Sequence, residues 1–440
     1  MSLVPDIEIF EIDRSFIEPP VSDGPGIYIA LFSKKGPDNK IVKGYSASNI
    51  INTFGDPDAE KYGYGLYYAI KAAEFTPNVF IVRLLPNDAT YSNVFVKFDT
   101  NFTTYTVASD NVTASQNISL NDVTGLSEGD KLLIKVQNPN TNSTYYEYRT
   151  IISVDTDNNI VTVDEPIIVY TNNEVYKLES AFVYSQTNLT DESQIEGELL
   201  NNTAGSNTIT LGYGFVLYPI GRGEYYDNIV IKFERNVDLE RRYVDEETGK
   251  PLYPYNFWNI YIFEKNPETG ILSLLEDPIT VSILETDNNN QPFRHPVTGQ
   301  KLFIEEQINN ISNIIRVKTA PVNTVFSQKK QIIPASLQVY FELNNTNEFN
   351  LNNGSDGTLD DNTKTSLLLQ AYNGTLNEDI EKITESSPSF KVYDIHYIPD
   401  PGYSLDVKSA ILNLAQQRND CTAILSLPSC ITEPSLRSPS

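Results

Sequence analysis

The chain has 440 residues, with 58 Asp and Glu against 32 Lys and Arg and a formal net charge of −26. Such a surface repels phosphate backbones and anionic lipid, which excludes a non-specific nucleic-acid binder, while acidity of this degree keeps a concentrated protein dissolved. No run approaches the roughly 20 apolar residues of a membrane span and no basic-then-apolar leader opens the chain; Cys421 and Cys430 alone make no disulfide framework, as expected of a protein made and kept in a reducing cytosol.

The length predicts about three domains with ample buried core. In chain order, residues 1–24 read as an extended arm. Pro5, Pro19 and Pro20 stop a helix, and Ile7, Ile9, Phe10 and Ile12 alternate in part with Glu8, Glu11 and Asp13. A segment this short buries no face alone. It is expected to pair with a sheet edge, of its own subunit or of another, or to stay a free tail. Residues 25–91 read as an α/β core segment. Residues 27–32 form an unbroken apolar run, as in a strand buried on both faces, and Lys35-Gly36-Pro37-Asp38-Asn39 turns the chain. Ser46 or Ser48 caps a helix carrying Ile50, Ile51 and Phe54, which Gly55 and Pro57 stop. A second helix, with Leu66, Ile70 and Ala73 on one face, leads to a buried strand over 79–85 and completes a strand-helix-strand crossover.

From 92 to 180 helical periodicity vanishes. Short β-type runs at 105–107, 117–120, 131–136, 145–154, 160–163 and 167–170, separated by Asn, Asp, Thr and Gly turns, predict an inserted small all-β barrel or sandwich, read as an exposed decoration. Asp122, Asp130, Asp155, Asp157 and Asp164 lack the spacing, central glycine and closing glutamate of a calcium loop and read as turn carboxylates. Residues 181–345 predict a second mixed α/β domain. Within it Gly221-Arg222-Gly223 turns into a strand from Ile229, without the spacing or the following helix of a dinucleotide site. A strand over 259–263 follows, then a short helix with Ile304, Ile308 and Ile311 and a strand over 314–317. Residues 346–428 return to α/β, with helices over 365–372 and 377–383 and a strand over 392–398. A helix capped by Ser404, with Val407, Ile411 and Leu414 on one face, then leads to a last strand over 422–427. Residues 429–440 read as linker. The fold class predicted is α+β / mixed α/β and multidomain. Its strand-helix-strand core is formed by the N-terminal and C-terminal parts around the inserted β domain and the middle domain.

Certain segments carry a family likeness. Gly24-Pro25-Gly26-Ile27 opening a strand, Lys35-Gly36-Pro37, Asn52-Thr53-Phe54-Gly55-Asp56-Pro57, a Tyr-rich helix and Asn78-Val79-Phe80-Ile81-Val82-Arg83 resemble, in order and spacing, the N-terminal region of bacteriophage contractile-tail sheath proteins. The turn at 218–228 is similar to that family's Pro-Gly-X-X-Gly-Asn turn, except that Ile220 separates Pro219 from Gly221 and Asp227 replaces the second Gly. Residues 299–317 look like its middle region. Gly354-Ser355-Asp356-Gly357, Pro401-Gly402-Tyr403 and Gln417-Arg418-Asn419-Asp420-Cys421 resemble the segment leading into its C-terminal core, before whose further α/β region and arm this chain ends.

The resemblance implies a structural, non-enzymatic subunit without cofactor or metal, assembled in the host cytoplasm into the tail sheath of the virion. Its implied partners are copies of itself in stacked rings, the tail tube, and the baseplate and tail terminator proteins, with neither nucleic acid nor membrane insertion. It also implies that the arm, with Ile7, Ile9, Phe10 and Ile12, crosses to a neighbouring subunit's sheet. The rival reading is a carbohydrate-binding or hydrolytic tail accessory, suggested by the β-rich insertion, the Tyr content and the acidic surface. Candidate chemistry is sparse. His295 lies in a Pro/Gly loop and His396 in a strand pattern; these two and the two cysteines are not spaced as a zinc site, and no phosphate-cradling GxxxxGK[ST] loop occurs. Arg222, Arg241, Arg242 and Arg418 read as solvated or salt-bridged surface.

Overall fold

A computed structural model describes residues 24–99, 102–200, 203–204, 207–320, 331–385 and 393–426. The chain divides into a terminal unit, built from residues up to Leu84 together with those from Asp360 onward, and a central unit from Leu85 to Leu359. The architecture is mixed α/β with several sheets, as the sequence predicts.

The terminal unit is organised around a five-stranded sheet in the order Ile41–Gly44, Val79–Arg83, Ile27–Leu31, Tyr397–Pro399, Thr422–Ile424. All neighbours are parallel except the antiparallel Ile41–Gly44, a strand the sequence reading passes over. Ile29, Leu31 and Ile81 pack under the helices Ala47–Phe54 and Gly65–Ala72, through Ile50, Phe54, Leu66 and Ile70. Complete burial of Ile50 and Phe54 stabilises the unit by about 1.5–3 kcal/mol each. The first helix starts and stops as its sequence dictates. Ser46 accepts from the N–H of Asn49, and Gly55 closes the helix at φ 87°, where a side chain is strained. The strand expected over 392–398 is shorter, spanning Tyr397–Pro399, because the backbone around Asp394 is committed to Gly26 rather than to a ladder. The helices Asp361–Tyr372 and Leu405–Arg418 complete the unit.

In the central unit the insertion is a barrel. Thr104–Thr106, Glu174–Leu178, Lys131–Gln137, Thr144–Asp155, Ile160–Val169 and Asn111–Ser119 pair in that order, and the ends meet through a Val107–Leu120 bridge. The two runs at 160–163 and 167–170 belong to one continuous strand with a register shift in its pairing. One side of the barrel is covered: Leu133, Tyr176 and Leu178 pack against Ile332, Ala335 and Val339 of the helix Ile332–Leu343. Val94–Asp99 lies within the boundaries drawn for the insertion, yet it pairs with Asn207–Pro219 and Phe182–Tyr184. A further sheet joins Ile229–Arg235, Phe257–Lys265 and Glu348–Asn350, so residues up to Asn350 belong with the middle of the chain. The expected helix is Ile304–Ile311, with Ile304 and Ile308 buried and Ile311 exposed.

Candidate assembly interface

In the terminal unit, strand order reverses between Ile27–Leu31 and Tyr397–Pro399. In doubly wound sheets such a switch point opens a ligand crevice. Here tyrosines occupy it. Tyr372 Oη accepts from the Ala30 N–H at 3.2 Å, Tyr403 Oη donates to the Ala30 carbonyl, and Tyr28 packs edge-on to Tyr372. Burial pushes all three phenols well above their ordinary range, so they stay neutral.

The two edges of this sheet differ. At Ile41–Gly44 the edge is capped by side chains: Asp379 Oδ2 accepts from the Ile41 N–H at 3.1 Å, and Asn377 Nδ2 donates to the Asn39 carbonyl at 2.7 Å. At Thr422–Ile424 no described strand pairs the outer side. Ile424 and Leu425 are 53% and 40% exposed. An open edge beside exposed apolar side chains is a template for another chain.

That edge strand is held firmly on its inner side. The N–H of Thr422 donates to the His396 carbonyl at 2.8 Å and that of Asp400 to the Ile424 carbonyl at 2.9 Å. Beyond the strand, Asp400 Oδ2 accepts from the Ser426 N–H at 3.1 Å and from Ser426 Oγ at 2.7 Å, and pairs with the Lys408 ammonium. Its other oxygen accepts from the N–H groups of Gly402 and Tyr403 at 2.9 and 2.7 Å. Burial alone would raise the Asp400 pKa, but the Lys408 ammonium, Ser426 and the backbone donors outweigh it and hold the carboxyl below its usual range. A carboxyl depressed in the folded state stabilises fully above its unfolded pKa of about 3.9, and that contribution is lost as pH falls through the folded value. Thermal melts taken downward from about pH 5 should therefore show a loss of stability that Asp400→Asn, itself less stable at neutral pH, flattens; an unchanged acid limb in the variant would remove Asp400 as its cause.

A second exposed apolar surface follows the helix Gly65–Ala72. Tyr64, Tyr67 and Tyr68 lie at helical spacing opposite the buried Leu66, Ala69 and Ile70, and Phe75, 83% exposed, follows in the turn after the helix.

The arm residues Ile7, Ile9, Phe10 and Ile12 lie outside the described residues. Both histidines staple backbone. His396 Nδ1 accepts from the Gly26 N–H at 3.0 Å, and His295 Nδ1 accepts from Val297 and Thr298 N–H groups at 3.3 Å. Asp122 and Asp155 accept from their own turns' N–H groups, and among the described residues no three His, Cys, Asp or Glu side chains gather as a metal site requires. The surface reading holds for Arg241 and Arg242 and fails for two other arginines. Arg222 is 7% exposed and donates through Nη1 to the Pro86, Ala89 and Thr190 carbonyls at 3.3–3.4 Å; Arg418 is 2% exposed. In each case a guanidinium supplies donors to carbonyls that the fold takes out of water.

No family model matches the chain, and no curated protein matches it. Among solved structures it is similar to the sheath tail protein of Listeria innocua, at 7% identity and a TM-score of 0.33, over 92% of this chain and 48% of that one. The chain thus spans about half the length of that protein.

Proposed function

We propose that this chain is a structural subunit of a contractile tail sheath, polymerising around a tail tube and contracting to drive the tube through a host envelope. One observation carries the reading: segments on which the sequence resemblance rests are the joints of the terminal unit. Gly26 abuts the backbone of Asp394, and the Gly36 carbonyl accepts from the fully buried Arg83 at 3.1 Å. Tyr403 of the Pro-Gly-Tyr segment closes on Ala30, and Arg418 with Asp420 locks the last helix. These residues are far apart in sequence and serve one body, so their order along the chain reflects an architecture more than a local turn preference.

The arm supplies the tether. Ile7, Ile9, Phe10 and Ile12 of one subunit add as a strand to the open Thr422–Ile424 edge of another, with backbone hydrogen bonds giving affinity and alternate side chains giving register. Contraction moves packed subunits between two lattices, and the work comes from the difference in interface free energy between them. Deleting residues 1–20 should leave circular dichroism and melting unchanged while abolishing the hollow cylinders that the full chain forms under negative stain. Cylinders of normal length from the deletion variant would remove the tether, and a full chain that never polymerises would remove the sheath reading itself.

A further inference from the structure

Only two asparagines precede a glycine, Asn353 before Gly354 and Asn373 before Gly374. At such a pair the glycine nitrogen, unscreened by a side chain, can attack the asparagine carboxamide carbon, and the rate depends on how freely the peptide between them turns. The two peptides are held very differently. The Gly354 N–H donates to Asp227 Oδ1 at 2.8 Å, and the Asn353 carbonyl accepts from Thr90 Oγ1 at 2.8 Å. The flanking residues Asn352 and Ser355 are bridged to Asn93 and Thr90. A Cβ built on Gly354 lies 2.1 Å from Ser92 Oγ and 2.5 Å from the Gly223 carbonyl oxygen, so this peptide has no room to turn. Asn373 instead follows the last residue of the helix Asp361–Tyr372 and is exposed. The Gly374 N–H donates to the Ala371 carbonyl at 3.4 Å, longer than an ordinary hydrogen bond. Helix ends open locally at little cost in free energy.

We propose that Asn373 is a site of spontaneous deamidation and that the fold protects Asn353 from the same reaction. The Gly374 nitrogen loses its proton and bonds to Asn373 Cγ, the bond from Cγ to the carboxamide nitrogen breaks, and that nitrogen departs with the proton as ammonia. Water then opens the succinimide. Cleavage at Cγ leaves aspartate, and cleavage at the backbone carbonyl leaves isoaspartate, whose main chain runs through Cβ and Cγ. Either product places a carboxylate at the C-terminal end of the helix Asp361–Tyr372, the unfavourable end for negative charge. Isoaspartate also lengthens a turn with little slack, since a Cβ built on Gly374 lies 2.5 Å from Thr384 Cγ2. Both changes weaken the turn in which they occur.

The test incubates the full chain at mildly alkaline pH, folded and in urea. Mass spectrometry follows conversion of amide to acid in the peptides that contain Asn353 and Asn373, and an isoaspartyl methyltransferase labels the isoaspartate formed. In the folded chain conversion at Asn373 is expected to be about tenfold faster than at Asn353, or more, the ratio that about 1.4 kcal/mol of difference in local opening produces. Urea should bring the two rates together, because the two bonds are chemically alike. Asp227→Ala, which releases the Gly354 N–H, should raise the Asn353 rate and leave that of Asn373 unchanged. Equal rates in the folded chain, faster conversion at Asn353, a preference for Asn373 undiminished in urea, or an Asn353 rate that Asp227→Ala does not raise would each overturn the proposal.

Discussion

Gly26→Ala is expected to destabilise the terminal unit by about 3 kcal/mol or more, at the upper end of what overpacking does, because the clash is with backbone. A Cβ built at Gly26 lies 1.8 Å from the Asp394 carbonyl oxygen and 3.1 Å from the Phe80 ring. Neither the Asp394 peptide nor the strand beside it can yield without breaking bonds: the Gly26 carbonyl accepts from the N–H groups of His396 and Tyr397 at 2.8 and 3.1 Å, and the Gly26 N–H donates to His396. The pairing of Ile27 with Tyr397 is the register on which the N-terminal and C-terminal parts meet. Loss of it should free the Tyr397–Pro399 and Thr422–Ile424 strands while Ile27–Leu31 keeps its partner Val79–Arg83. Hydrogen exchange should therefore show the His396 and Tyr397 amides losing protection first, with barrel amides unaffected. The matched control is Gly197→Ala in the helix Glu192–Leu200, where a Cβ meets nothing within 4 Å and helix propensity predicts a gain of up to about 1 kcal/mol. Equal stability for the Gly26 and Gly197 variants would mean the close approach is not structural.

What the sequence makes legible here follows burial and local chemistry. Residues 27–32 and 79–85 read as strands because both faces are covered and every position but Arg83 is apolar. The helix Ala47–Phe54 is legible because Ser46 and Gly55 act on neighbours in the chain. The four-residue edge Ile41–Gly44 carries too short a pattern. Val94–Asp99 shows why boundaries fail: the sequence reading passes over it, and nothing in its residues names Asn207–Pro219 as the partner. In Ile332–Leu343, Pro334 and the two isoleucines hide a helix that tolerates proline because it falls in the first turn. Arg222 and Arg418 are misread as surface for a related cause. A guanidinium is buried when several carbonyls from separate segments converge on it, and convergence is a tertiary fact. The candidate interface is hidden for the same reason. Ile424 and Leu425 look like the core of a last strand, and only the assembled sheet shows that nothing described covers them.

Arg418→Met should destabilise the same unit by about 3–5 kcal/mol, the range for removing one member of a buried charged network. At the C-terminal end of the helix Leu405–Arg418, its Nε and Nη2 bind the two oxygens of Asp420 at 2.9 and 3.1 Å. Nη1 donates to the carbonyls of Ile383 and, at 2.9 Å, Glu385, and Nη2 to that of Tyr393 at 3.2 Å. Methionine fills most of the volume but leaves three carbonyls and a carboxylate without these donors, each lost partner adding about 1–3 kcal/mol of desolvation. Arg418→Lys should lose about 2 kcal/mol or more, since one ammonium cannot span a carboxylate and three carbonyls together. Neutralising Asp420 as well should recover part of the loss, because its carboxylate no longer faces the guanidinium, so Arg418→Met/Asp420→Asn is expected to be more stable than Arg418→Met alone. Urea denaturation of the four proteins checks the order: wild type most stable, Arg418→Met least stable, and Arg418→Lys and the double variant between them. A loss below about 1 kcal/mol for Arg418→Met would show that water satisfies these carbonyls instead. Arg418 and Asp420 immediately precede the Thr422–Ile424 edge, which no described strand pairs on its outer side; under the sheath proposal Arg418→Lys, folded at low temperature, should polymerise more slowly than wild type, because a misplaced edge offers an arriving strand fewer backbone hydrogen bonds at once.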